Sequence, residues 1–176
     1  MNGPYDANLL AYDGDEPLSG VIQLNGDLYM IPAPLQAFLD NGWVLTKSPT
    51  GIPSMGSQSI RISRDEVNLN LKIGNGALYQ TTAENCVVIS IEAEHSSKSK
   101  YPELILPKGI KLGMTCKEVE ALVPSSMEKD DGTSYSSFRY YEYNPRNFTL
   151  SLTVNKNPDL LRKIWVNCTT WPYTEG

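Results

Sequence analysis

The chain has one histidine, His95, and its three cysteines, Cys86, Cys116 and Cys168, form no C-x-x-C pair. A zinc centre needs four Cys/His ligands, or three with an open position, commonly in paired spacing. That pattern is missing, so the sequence assigns no metal ligand, and it implies no cofactor. The cysteines read as three small buried hydrophobes or as one disulfide with a leftover thiol. Apolar runs are short; none approaches the ~20 residues of a membrane-spanning helix. The opening "MNGPYDANLLAYDGDEPLSG" has no basic segment followed by an apolar one, so it does not read as a signal peptide. Its "YDGDE" lacks the D-x-D-x-[DN]-G spacing of a calcium loop. Positive charge is sparse: 15 Lys and Arg against 20 Asp and Glu leave a net charge of −5, without the basic face a nucleic-acid binder needs.

Catalytic signatures are also missing. No G-x-x-x-x-G-K-[ST], G-x-G-x-x-G or G-x-S-x-G occurs. His95 stands beside Ser96 and Ser97 in a polar connector, and sequence neighbours rarely make a triad. Asp130 and Asp131, in "EKDDGT", read as a solvated hairpin tip. No catalytic residue is assigned, and an enzyme is the least favoured class.

What is present suffices for a core: 176 residues, 40% hydrophobic and 20% charged. Residues 1–19 read as a flexible acidic arm. "VIQL" and "DLYM" flank Asn25-Gly26, a strong hairpin signal because both residues tolerate positive φ. "APLQAFLDNGW" predicts a short helix with Leu35, Phe38 and Leu39 on one face, closed by Gly42. After a Pro/Gly-rich stretch come three strands, "SIRIS", "VNLNLKI" and "CVVISIEA". In the last, Val87, Ile89, Ile91 and Ala93 are expected inward, with Ser90 and Glu92 outward.

The order then repeats. "LILP" is a strand, Thr115 and Glu118 form a capping box, and Val119, Leu122 and Val123 make an apolar stripe stopped by Pro124. Strands "SYSSFRYYEY", "FTLSLTV" and "LRKIWVNCT" follow. The expectation is an α+β fold: a tandem pseudo-repeat of short helix plus antiparallel sheet, over 20–97 and 98–176, packed as one unit. Its two sheets are expected to join edge to edge and form a shallow concave face.

"LPKGIKLGMTCKEVEALVP", through Gly113, Met114, Thr115, Glu118, Val119 and Leu122, resembles the helix-plus-sheet module of the β-lactamase-inhibitor-protein and outer-membrane small-lipoprotein (SmpA/OmlA) type. That family closes this helix with Leu-Gly, where Val123-Pro124 stands here. The whole chain resembles exported proteins and predicted lipoproteins of Gram-positive gut bacteria. Tyr29, Pro32, Phe38, Leu39, Gly42, Trp43, Asn75, Cys86, Val88, Pro107, Gly109, Gly113, Thr115 and Glu118 carry that resemblance. The first resemblance, which covers the second half only, implies a BLIP-like fold; the second implies an extracellular or surface-anchored protein, an upstream lipid anchor being one option and a cytoplasmic protein another. It supplies no catalytic residues.

Of 16 aromatic residues, nine lie at or after Tyr135. Period-2 alternation puts Phe138, Tyr140 and Glu142 on one side of their strand and Arg139, Tyr141 and Tyr143 on the other. Tyr and Trp suit recognition, giving contact area at low entropic cost; they also have high strand propensity and cover sheet edges. Arg139, Tyr141, Tyr143 and Trp165 are therefore the candidate recognition surface of a non-enzymatic binding or adaptor module for a protein or glycan at the cell surface. The alternative is an inhibitor of a secreted hydrolase, presenting "EKDDG" as an acidic loop.

Overall fold

A computed structural model describes residues 17–143 and 147–169. The arm read over 1–19 lies almost wholly outside them, as do Trp171 and Tyr173. Pro17, Ser19 and Gly20 are buried and lead straight into the first strand.

The architecture corrects the α+β expectation. Strand makes up 49% and helix 13%, and only two α-helices occur among the described residues, so the molecule is a mostly antiparallel β structure and not a pair of helix-plus-sheet repeats. The helices are α1, Leu35–Asp40, and α2, Cys116–Leu122. Capping signals mark where a helix starts but not how far it runs. α1 ends at Asn41 and Gly42, whose amides bond back to Phe38 and Leu39, with Gly42 at φ 93°. α2 ends at Val123, before Pro124. Six and seven residues are under two turns each, so ladder hydrogen bonds dominate the fold.

Two sheets form. β1 (Val21–Leu24) and β2 (Asp27–Met30) make the hairpin about Asn25 and Gly26, both at positive φ. β1 also pairs with β8 (Leu104–Ile105), giving the order β2-β1-β8. The strands expected to open each repeat therefore sit together in a sheet of their own. The large sheet comprises β3 (Ala33–Pro34), β4 (Val44–Leu45), β5 (Ser57–Arg64), β6 (Val67–Gly74), β7 (Val87–Glu94), β9 (Glu128–Asp131), β10 (Tyr135–Glu142), β11 (Phe148–Lys156) and β12 (Asp159–Cys168). Its order is β4-β5-β6-β7-β12-β11-β10-β9, with β3 also on β7. β7 and β12 pair antiparallel, Glu92 opposite Trp165, so both strand triplets lie in one sheet.

One face of this sheet is apolar. Ile62, Leu69, Leu71, Val88, Ile91, Leu152, Ile164 and Val166 join Ile22, Leu24, Tyr29, Phe38 and Val119 from the other layer in one core. The Tyr29 and Phe38 rings stack at 3.9 Å, and Asn41 donates to the Tyr29 hydroxyl at 2.8 Å.

Two local readings also change. In β7 Val88, Ile89, Ile91 and Ala93 are buried, while Val87, expected inward, is only half-buried. A bulge causes the shift: Ile73 lies opposite Val88 and Lys72 opposite Ser90, leaving Ile89 as the extra residue. And Glu128–Asp131 is an edge strand paired with β10, not a hairpin tip.

Candidate functional site: the open face of the large sheet

Strand alternation sends the polar residues of the large sheet to the face away from the core. The registers align them across seven strands: Arg61, Asn70, Glu92, Trp165, Ser151, Arg139 and Glu128 are successive cross-strand partners. A second row runs Ser59, Lys72, Ser90, Asn167, Thr149 and Tyr141. Neighbours within and between these rows interact. Arg61 Nε donates to Asn70 Oδ1 at 3.2 Å, and Trp165 Nε1 donates to Ser90 Oγ at 2.9 Å. Lys163 Nζ reaches Glu92 at 2.9 Å and Glu94 at 3.5 Å, and the Glu92 hydrogen bond raises the lysine's pKa.

All four predicted recognition residues lie on this face. Tyr141 is 48% exposed and Tyr143 80%, their rings meeting edge to face at 4.5 Å. Arg139 is exposed, and no ion pair of it is found among the described residues. Trp165 is half-buried, held by its bond to Ser90. Together with Ser137 and Glu128 they border one hollow of about 710 Å³. Phe138, on the opposite side of β10, is buried in the core, and Tyr140 packs against it.

Sequence reasoning did not single out Ser137. It is 4% exposed, and its hydroxyl has no hydrogen-bond partner among the described residues. Buried hydroxyls are normally paired, and an unpaired one costs about 1–3 kcal/mol. The other such group, the Trp43 indole N–H, lies in the core.

A second hollow, about 720 Å³, opens on the other side of Trp165. Lys47, Arg61 and Lys72 border it, with Asn70, Glu92 and Asn167. Its signal in the sequence was the wet face of "VNLNLKI" and "CVVISIEA", but only the β7–β12 register brings it to Trp165.

The remaining candidates lie elsewhere. The His95 ring packs on Tyr101 at 4.6 Å, and Ser96 Oγ accepts from the amides of Lys98 and Ser99. Asp131 accepts from Ser136 at 2.6 Å, which lowers its pKa. No disulfide joins any two of the three cysteines. Cys86 and Cys168 are buried, and Cys116 is partly exposed. Among the described residues no three His, Cys, Asp or Glu side chains converge as metal ligands, and no helix is long and apolar enough to cross a membrane. Comparison of the chain with protein-family models, curated proteins and solved structures found no match.

Proposed function

We propose that this chain is a non-enzymatic recognition module of the bacterial cell surface, binding through the open face of its large sheet. The observation that carries this reading is the hollow shared by Arg139, Tyr141, Tyr143 and Trp165. Two exposed tyrosine rings in edge contact, beside a cation with no ion pair among the described residues and a fixed indole, are the side-chain types that concentrate binding energy. The buried Ser137 hydroxyl, which has no hydrogen-bond partner among the described residues, adds a polar group on the same face. The surface placement follows from the resemblance to exported proteins.

The inhibitor alternative has less support. It called for "EKDDG" as a free loop, and four of those residues form β9, bonded along β10.

The test is binding of surface glycans and surface proteins by the wild type and by a Tyr141→Ala/Tyr143→Ala double variant. A ligand lost from the double variant at unchanged melting temperature supports the reading. Equal binding by both proteins for every ligand removes it.

A further inference from the structure

The hollow on the other side of Trp165 has a different chemistry. Lys47, Arg61 and Lys72 border it, and no ion pair of any of them is found among the described residues. The carboxylate on its border, Glu92, is engaged by Lys163 at 2.9 Å. On a chain of net charge −5, this is a local reversal of sign. Arg61 gives its Nε hydrogen to Asn70, which leaves the two terminal nitrogens of the guanidinium for a ligand. Trp165 commits its N–H to Ser90, so the indole offers its flat face and not a donor. Asn167 adds an amide on the same border.

We infer that this hollow binds an anionic saccharide. A sugar ring lies on the Trp165 indole, and the carboxylate or phosphate groups of the chain meet Lys47, Arg61 and Lys72. The inference rests on reading the open face as a recognition surface and names the ligand class of its first half.

Three observations favour a saccharide over other polyanions. β6, β7 and β12 are paired on both sides here, so an extended acidic peptide would find free ladder positions only along residues 57–60 of β5, three strands away from Trp165. A nucleic-acid strand would meet too few cations, on a chain with an excess of acidic residues. Amide, hydroxyl and one aromatic face suit a polyhydroxylated ring, whose axial C–H groups pack on an indole while its hydroxyls bond around it.

The experiment is calorimetric titration of the full chain with four probes: hexagalacturonate, a phosphomannan hexamer, maltohexaose and hexaglutamate. Binding of one or both anionic saccharides is expected, weakening about tenfold or more from 50 to 500 mM NaCl as the charges are screened. Lys72→Ala and Arg61→Ala should each weaken it about fivefold, and Trp165→Ala should abolish it. Lys117→Ala, on the exposed side of α2, should leave it unchanged. Circular dichroism confirms that each variant is folded. The phosphate and carboxylate arms identify which anion is read. Equal affinity for maltohexaose, or hexaglutamate binding as tightly as the saccharides, overturns the ligand class while the recognition face stands. If none of the four binds, the inference fails, and the tyrosine double variant alone decides the broader reading.

Discussion

Trp165 and Ser90 stand 75 residues apart in the chain and 2.9 Å apart in space, the indole N–H reaching diagonally from β12 across to β7. Ser90 faces Asn167 in the register and Trp165 faces Glu92, so the bond ties one cross-strand row to the next. It sits on the pair of strands that unites the two triplets, with a hollow on either side.

Trp165→Phe keeps an aromatic ring and removes this bond. The expected loss is about 1 kcal/mol, read as a lower urea midpoint at unchanged slope. A midpoint equal to the wild type would show that the indole bond adds nothing to folding and serves only to orient the ring.

Asn75 is 1% exposed and works as a staple. Its Nδ2 donates to the carbonyls of Ile52, Pro53 and Tyr79 at 2.9–3.0 Å, and its Oδ1 accepts from the Ala77 amide at 2.8 Å. Asn75→Asp would set a carboxylate against three carbonyl oxygens in the interior. The variant should lose about 3 kcal/mol or more, measured by urea denaturation. A loss under about 1 kcal/mol would mean that the 51–56 segment is held by other contacts.

Burial, and secondarily the Glu84 charge, pushes the Cys86 thiol from 9.0 up to about 11. The unfolded chain therefore gives up this proton first as pH rises. The contribution is fully present below pH 9 and is lost as pH climbs towards about 11. Compared with Cys86→Ala, the wild type should lose stability more steeply over that interval. Parallel curves would sink the assignment. At neutral pH an alkylating reagent should label Cys116 in the native protein and reach the buried Cys86 and Cys168 only on unfolding.

The first turn of α2 is capped twice. Thr115 Oγ1 accepts from the Glu118 amide at 3.3 Å, and Asp159 Oδ1 accepts from the Cys116 amide at 2.9 Å. Thr115→Ala and Asp159→Ala should each cost about 1 kcal/mol by thermal or urea melts. In a helix this short, the double variant should cost more than the sum, because losing both caps unravels the turn they share. Strict additivity would argue against that coupling.

Much of this was legible because alternation is a local signal. Val67, Leu69, Leu71 and Ile73, and likewise Phe148, Leu150, Leu152 and Val154, fall on the buried face as their spacing requires. The two-sided reading of "FRYYEY" places Tyr141 and Tyr143 in solvent for the same reason. Legibility stopped where one local signal had several outcomes. Val87, Val88 and Ile89 are all apolar and β-branched, so no residue marks the bulge that turns Val88 inward. Glu128–Asp131 has poor strand propensity and is a strand only because β10 offers it a ladder. The fold class failed on the same ground: the Thr115 cap is real, with Glu118 Oε1 accepting from the Thr115 hydroxyl and not from its amide, but it opens a helix of seven residues. The site's least legible part was the hollow of Lys47, Arg61 and Lys72: an edge-to-edge joining of the sheets was expected, but neither strand announces the β7–β12 register that brings Trp165 and Asn167 to it.

The large sheet ends on one side in the two residues of β4 and on the other in β9, where Glu128, Lys129, Asp130 and Asp131 are all exposed. An open strand edge invites another copy to add itself indefinitely. Here β4 covers only part of β5 and leaves the edge of residues 57–60 open, while β9 confronts any identical edge with its own excess of negative charge. In a molecule that is about half strand, the charged end of the sheet is in this way kept from templating a fibril, and further strand addition is left to the short open edge of β5.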